Sequence, residues 1–277
     1  MNRQLSLLVF VTITASLTTW SPCRLNATPI NEARITRVKN HVKLGDSKNA
    51  THEASVNDIV REETLVRTGG ESRAELVFSD DTVVRLAAHS VFDFDRGTGG
   101  LNLKEGAVLV QAPKGARGAT IHAGGVAVAV AGTTVMIEYH PGVYKFLVLE
   151  GTGRLYRPGH VGDSVLVVPG QMVFGNPGAA VSDPVDVDIA RFVKTSGFIT
   201  DFPPLRSEKS IVAEGQKQQR EKSNKTLRDT NLVIFGGGTQ VSDIGQEQTD
   251  LEPRTSATLV APRRVSSLNR NTAPAVP

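Results

Sequence analysis

Residues 65–86 read LVRTGGESRAELVFSDDTVVRL and contain the clearest strand pattern in the chain. Every second residue is apolar from Ala74 to Phe78, and the alternation resumes from Val84 to Leu86. A period of two places one set of side chains inside a half-buried strand and the other set outside it. The stretch therefore predicts two strands joined by a tight turn at Asp80-Asp81.

Similar strand signals, separated by Gly, Pro and Asp, continue from about residue 30 to residue 176. They predict on the order of ten short strands in an all-β domain. A β-sandwich and a short β-helix or solenoid both fit this spacing. The residues expected at the turns are Gly69, Asp80, Asp81, Gly106, Gly132, Gly151 and Gly170.

Two local patterns add detail to this domain. The small residues between Val126, Val128 and Val130 are typical of a strand packed on both faces. Glu-Gly follows a strand signal at 105–106 and again at 150–151. The recurrence indicates either stacked repeats or two ordinary turns, and we favour ordinary turns.

Residues 1–27 have the layout of a secretory signal peptide. Arg3 provides a positive start, the run from Leu5 to Leu17 is uncharged and mostly apolar, and Ala27 is a suitable last residue before cleavage. We expect a periplasmic or secreted protein without a transmembrane helix in the mature chain, the alternative being an uncleaved signal anchor. Cleavage would remove Cys23, the only cysteine, and leave no disulfide and no thiolate metal site.

The chain changes character after the β domain, which we place at residues 28–176. Residues 177–205 predict one short helix that packs back onto the β domain, with Asp186 or Asp188 as its cap and Gly197 at its end. Residues 206–277 are rich in Lys, Arg, Gln, Ser, Thr and Pro, and predict a low-complexity, largely disordered tail. The apolar island Leu232–Phe235 within it indicates either a strand that pairs with the domain edge or a docking motif.

Charge and motif content exclude several functions. Lys and Arg number 31 against 28 Asp and Glu, so a nucleic-acid partner is not expected. The six histidines lack a metal-ligand spacing, and the chain has no Gly-x-Ser-x-Gly elbow. His160, Asp163 and Ser164 form a local cluster that hints at a hydrolase, but we expect a solvated loop there. We predict no catalytic residue, no metal and no cofactor.

Several short motifs occur in a defined order over about 110 residues. They are Thr68-Gly69, Ser72-Arg73-Ala74, Leu76, Phe78, Asp80, Val84-Arg85-Leu86, Ser90, Leu101, Leu103, Glu105-Gly106, Ala131-Gly132-Thr133, Leu149-Glu150-Gly151 and Pro169-Gly170-Gln171. In this order and spacing they resemble the FecR domain family of bacterial cell-envelope proteins. The family turn usually carries Asp-Gly where this chain has Asp80-Asp81. Asp tolerates the left-handed conformation, so we expect the turn to be kept.

The resemblance implies a β-rich, non-enzymatic, extracytoplasmic domain that acts as a protein-binding, signalling or scaffold module. The regulators for which the family is named carry a periplasmic signal from an outer-membrane iron-siderophore receptor to a cytoplasmic sigma factor. Only four residues precede the apolar run here, and no receptor-contacting domain is recognisable after residue 177. Both differences argue against direct regulation of a sigma factor.

The partner expected from the resemblance is another envelope protein, and an exposed edge strand that receives a partner segment is one contact route. The alternative is a cell-wall protein that binds peptidoglycan or polysaccharide. The basic residues Arg254, Arg263, Arg264 and Arg270 favour adhesion to anionic polymers. The low aromatic content, 5%, argues against sugar-stacking platforms.

Overall fold

The computed structural model describes residues 32–45, 51–95, 99–116, 118–221, 227, 232–234 and 241–243. Residues 1–27, where a signal peptide is predicted, lie outside the described residues together with Cys23 and most of the tail beyond residue 221. Within the described part of the chain, no helix is long and apolar enough to span a membrane.

Strands make up most of the described chain before residue 187, three helices follow, and two short strands come last. The strands are β1 Glu32–Lys39, β2 Val42–Gly45, β3 His52–Glu53, β4 Ile59–Arg61, β5 Leu65–Thr68, β6 Arg73–Phe78, β7 Val83–Leu86, β8 Val91–Phe94, β9 Gly100–Gln111, β10 Ala119–Ala123, β11 Val126–Val130, β12 Thr134–His140, β13 Val143–Glu150, β14 Gly153–Tyr156, β15 Ser164–Val167, β16 Gln171–Gly175, β17 Val185–Asp186, β18 Leu232–Ile234 and β19 Val241–Asp243. The helices are α1 Ile189–Thr195, α2 Gly197–Thr200 and α3 Glu208–Glu221.

The strands form two sheets. Sheet A has the order β4-β1-β6-β7-β9-β12-β13-β16-β17. Sheet B has the order β3-β2-β5-β8-β9-β10-β11-β14-β15. Among the described strands, β9 and β10 are the one parallel pair. The fold is all-β, as the strand signals predicted.

Strand β9 belongs to both sheets and changes sheet at Gly106. Its first half pairs with β8 and β10 in sheet B, and its second half pairs with β7 and β12 in sheet A. Gly106 has a φ of +90°. A Cβ at this position would lie 2.4 Å from Oγ of Ser90. Glycine is therefore required here both by the backbone angle and by the close approach of Ser90, the residue before β8.

The main hydrophobic core lies between the two sheets, so the architecture is the sandwich rather than the β-helix. Ile35, Leu76 and Phe146 contribute to it from sheet A, and Phe92 and Ile121 contribute from sheet B, all fully buried. Strand pairing is antiparallel almost throughout, whereas a solenoid stacks parallel strands. The two sheets thus bury one apolar face each against the other.

The three helices cover the outer face of sheet A and form a third layer. Strand β13 is apolar on both sides because Phe146 points into the sandwich core while Leu147 points to the helices. Ile189 and Phe192 of α1 and Ile211 of α3 are buried in this second cluster. The extension therefore packs back onto the β domain.

Strand β11, for which burial on both faces was predicted, has Ala127 buried but Ala129 exposed.

The helices begin where side chains supply caps. Asp188 caps α1, and its Oδ1 accepts a hydrogen bond from the Arg191 N–H at 2.9 Å, whereas Asp186 lies in β17. Ser196 ends α1 and accepts from the Phe198 N–H at 3.3 Å, which starts α2. Gly197, expected to end the helix, is instead the first residue of α2. A second short helix follows because the cap at Ser196 restarts the hydrogen-bond pattern.

The prediction of a largely disordered tail from residue 206 does not hold for its first segment. Helix α3 occupies Glu208–Glu221, a segment rich in residues that favour helix. Gln218 is buried, and its Nε2 donates to the carbonyls of Val187 at 2.6 Å and Gly170 at 3.3 Å. Residues 232–234 of the apolar island form β18, and the described pairing of this strand is with β19 rather than with a domain edge.

A buried arginine joins sheet A to the helical layer. Arg85 of β7 is 2% exposed, and its Nε donates to Oε2 of Glu75 at 2.8 Å. Its Nη1 and Nη2 each donate at 2.6 Å to the carbonyls of Phe198 and Pro203. The guanidinium also lies 4.7 Å from the ring centroid of Phe202. Helix α2 and the segment after it are thus held to the β domain by a buried cation that donates three hydrogen bonds.

Candidate functional site

Strand β15 is the longest outer strand of the two sheets in the described part of the chain. The other outer strands, β3, β4 and β17, have two or three residues, whereas β15 has four. Strand β15 pairs with β14 on one side, and among the described strands none pairs with its other side, since β16, the next in sequence, pairs with β13 and β17. Unpaired strand edges attract further strands, and short outer strands are one way in which proteins avoid this. Strand β15 lacks that protection.

The backbone of β15 directs hydrogen-bonding groups toward this open side. The Arg157 N–H donates to the Asp163 carbonyl at 3.1 Å, so these two residues form a hydrogen-bonded pair. In an antiparallel ladder every second pair along β14 and β15 is then hydrogen-bonded. By that alternation, Val165 and Val167 bond to β14, while Ser164 and Leu166 point away from it. The Ser164 N–H turns back to Gly162 at 3.1 Å. The Leu166 N–H and C=O and the Ser164 C=O therefore face the open edge.

Apolar side chains accompany these groups. Leu166 is 49% exposed and Val168 is 39% exposed, and Val161 in the preceding loop is fully exposed. Large apolar side chains gathered at one edge are typical of contact sites. We call Val161, Leu166, Val168 and the open backbone of β15 the edge site.

An open groove borders the edge site on the outer face of sheet B. Thr120, Ala129, Arg154 and Leu166 form one row of paired residues across β10, β11, β14 and β15. The groove has a volume of about 480 Å³, and small residues such as Ala129 form its floor. Nη1 of Arg154 donates to Oγ of Ser164 at 3.2 Å, so the guanidinium lies over β15.

The residues expected at turns lie mostly at strand ends. Asp80 accepts hydrogen bonds from the Thr82 N–H at 3.0 Å and the Thr82 hydroxyl at 2.9 Å. Asp81 has a φ of +66°, which is the left-handed conformation expected at this turn. The Gly69 N–H donates to the His41 carbonyl at 2.9 Å. Gly132, Gly151 and Gly170 have positive φ angles and lie just before or after strands.

Gly106 is the exception among these residues, because it lies inside β9 rather than at a turn. Gly151, in contrast, follows the last residue of β13. The two Glu-Gly pairs therefore occupy different structural positions, and neither marks a repeated unit. The sequence missed this because a bend inside a strand and a turn between strands both favour glycine.

The cluster His160, Asp163 and Ser164 is not arranged as a catalytic triad. Asp163 accepts from the Val181 N–H at 2.9 Å and from Nη1 of Arg157 at 2.9 Å, and these bonds lower its pKa. Nδ1 of His160 lies 3.2 Å from the Pro158 carbonyl oxygen. Ser164 accepts from Arg154. These side chains hold the β14–β15 connection, which is part of the edge site.

One ionisable cluster had no signal in the sequence. Nε2 of His140 lies 3.1 Å from Oε1 of Glu138, and Nζ of Lys145 lies 2.5 Å from Oε2 of Glu138. Burial raises the pKa of Glu138, but His140 and Lys145 outweigh it and lower the pKa below its ordinary value. The hydrogen bond with Glu138 raises the pKa of His140. Glu138 of β12 and Lys145 of β13 are cross-strand partners. Their spacing in the sequence does not by itself indicate that their side chains are in contact.

Other chemistry has little support in the described residues. Within the described ranges, no group of three His, Cys, Asp or Glu side chains is placed to hold a metal ion. Among the described residues that line the groove beside β15, Arg154 is the one titratable residue. Arg254, Arg263, Arg264 and Arg270, on which wall binding depends, lie outside the described residues.

Comparisons with known proteins identify the central part of the chain. Among curated proteins, no sequence matches it significantly. Two crystal structures of a candidate anti-sigma factor from Parabacteroides distasonis ATCC 8503, at 1.65 and 2.50 Å resolution, are similar to it. They share 13% and 14% sequence identity with it, at TM-scores of 0.41 and 0.40. Each match covers 65% of this chain and 84% of the other.

The family model described as FecR protein matches residues 64–152. This range runs from the start of β5 to the turn after β13 and contains Arg85, Gly106 and the strand β9 that both sheets share. The sequence motifs that predicted the family lie mainly within it. Residues 64–152 of this chain therefore form a FecR domain.

Proposed function

We propose that this protein is a non-enzymatic, protein-binding module of the bacterial cell envelope that serves in signalling or as a scaffold. The observation that carries the proposal is the open edge of β15. A partner contributes an extended segment that pairs with this edge and continues sheet B. Main-chain hydrogen bonds then provide affinity, and pockets for alternate side chains provide specificity.

The FecR domain supports the regulatory part of the proposal, since the resemblance implies contact with other envelope proteins. The layout of residues 1–27 supports an extracytoplasmic location, because a positive start and a short apolar run are typical of an export signal. We assign the cleaved chain to the periplasm or the exterior. Reading the N-terminus of the mature protein by mass spectrometry tests this assignment.

A photocrosslinking experiment in the native envelope tests the edge itself. A benzophenone amino acid replaces Val168 in one variant and Val212 in another. Val212 is the matched control: its exposure, 38%, is close to the 39% of Val168, but it lies on α3, away from β15. We expect a defined adduct from position 168, localised to an extended segment of the partner, and none from position 212. Equal adducts from both positions would refute the edge as the binding site.

A pair of substitutions at Leu166 separates the backbone from the side chain. Leu166→Pro removes the N–H that faces the open edge without breaking a bond to β14. Leu166→Ile keeps that N–H and an apolar side chain, and it suits a strand. In the background of the position 168 crosslinker, we expect the proline variant to lose the adduct and the isoleucine variant to retain most of it. An adduct that survives the proline variant would show that no strand is added.

A further inference from the structure

We propose that the segment received by β15 carries an acidic side chain two residues away from an apolar one, read by Arg154 and Leu166 respectively. The inference rests on the proposed function and adds the chemistry of the partner. It depends on the face that β15 presents, on the charge left unpaired there, and on the strand spacing.

Arg154 supplies the unpaired charge. Its guanidinium is exposed and bonds to the Ser164 hydroxyl, a neutral group, at 3.2 Å. Its neighbour Arg157 is neutralised, since Nη1 of Arg157 lies 2.9 Å from Oδ2 of Asp163. In the described part of the chain, no carboxylate pairs with Arg154. A carboxylate from outside would complete a charge-assisted bond of the stronger kind.

The distance to an added strand suits this contact. Neighbouring strands lie about 4.8 Å apart, so a strand beyond β15 runs one spacing from the position of the guanidinium over Ser164. An Asp or Glu side chain on the outer face of that strand spans the gap. The same residue type directed inward would face the sandwich core, where Val167 is buried.

Leu166 sets the second requirement. Ser164 and Leu166 are two residues apart, so their side chains share the outer face of sheet B. A partner residue opposite Leu166 packs on a side chain that is 49% exposed, and an apolar residue there removes both surfaces from water. The residue two positions away on the same face lies beside Ser164 and Arg154. Acidic and apolar residues at i and i+2 of an extended segment match this surface.

Selection from a displayed library of random twelve-residue peptides against the intact protein tests the inference. We expect enrichment of Asp or Glu two positions from Val, Ile, Leu or Phe. In the best peptide, changing Glu to Gln is expected to weaken binding on the order of tenfold. In Arg154→Gln that difference should disappear, whereas Arg154→Lys should keep part of it. Fluorescence anisotropy of labelled peptides gives the affinities, and circular dichroism checks each variant's fold.

The outcomes separate this inference from the proposed function. If Leu166→Pro abolishes peptide binding but Arg154→Gln leaves the acidic preference unchanged, the edge is used and the inference is wrong. If enriched peptides bind Leu166→Pro and the native protein equally, the proposed function fails as well. Sedimentation tests the remaining candidate occupant of the edge, which is a second copy of the chain. A native dimer that Leu166→Pro dissociates would assign the edge to a second copy of the chain and overturn the inference.

Discussion

Arg85 is buried, and its guanidinium donates to one carboxylate and two backbone carbonyls. Burial lowers the pKa of Arg85, and the hydrogen bond and charge of Glu75 oppose that effect. Removal of the guanidinium leaves the Glu75 carboxylate, itself mostly buried, without its cation. We expect Arg85→Ala to lower the free energy of unfolding by about 3–5 kcal/mol. Urea unfolding measures this, with Arg206→Ala as the exposed control.

The control has a clear expectation of its own. Arg206 pairs with Asp81 at 3.0 Å, but both side chains are more than half exposed. Such pairs contribute about 0–1 kcal/mol because water screens them. Equal losses from the two substitutions would mean that the Arg85 network does not hold the helical layer in place.

His140 gives the protein a pH dependence with a defined sign. Its pKa is raised in the folded state by Glu138, so folding stabilises the protonated ring. That contribution is complete below the unfolded pKa, about 6.5, and is lost as the pH rises through the folded value. We expect native stability to fall as the pH rises above about 6.5, by more than that of His140→Gln. Thermal melts across this range measure the difference, and parallel curves would contradict it.

At the scale of the element, β9 has the most demanding position. We expect Gly106→Ala to destabilise the protein by about 2 kcal/mol or more, because the new Cβ meets Ser90 and the backbone angle becomes strained. Gly159→Ala is the matched control, since Gly159 has a φ of +80° and nothing within 4 Å of an added Cβ. Its cost should be about 1 kcal/mol, from backbone strain alone. Urea midpoints of the two variants rank them.

Single strands were predictable from the chain, but their partners were not. Alternation at β6 and β7 reports local burial, and it correctly indicated an all-β fold. Gly106 was predicted at a turn because sequence shows where a strand bends but not that it then joins another sheet. Leu166 gave no site signal either, since an edge exists only after the sheet order is known. Helix α3 was missed because its polar residues resemble those of a disordered tail.

At the scale of the molecule, the described helices cover the outer face of sheet A and share one apolar cluster with it. We expect Phe192→Ala to cost about 3–5 kcal/mol, because Phe192 is buried among residues of sheet A and α3. The loss should reach amides of α3 and of β13 alike. Hydrogen exchange read by mass spectrometry measures the protection of the amides in α3 and in β13 separately. Loss of protection in α3 alone would show that the helical layer opens independently.

The shared strand β9 also constrains the order in which the protein acquires structure. Synthesis delivers β1 to β8 first, and neither sheet is continuous until β9 follows them. Strand β7 in one sheet and β8 in the other both wait for the same twelve residues. Strands that lack their partner in this way leave apolar edges exposed in the meantime. A nascent chain halted before residue 111 should therefore remain unstructured and depend on chaperones for its solubility.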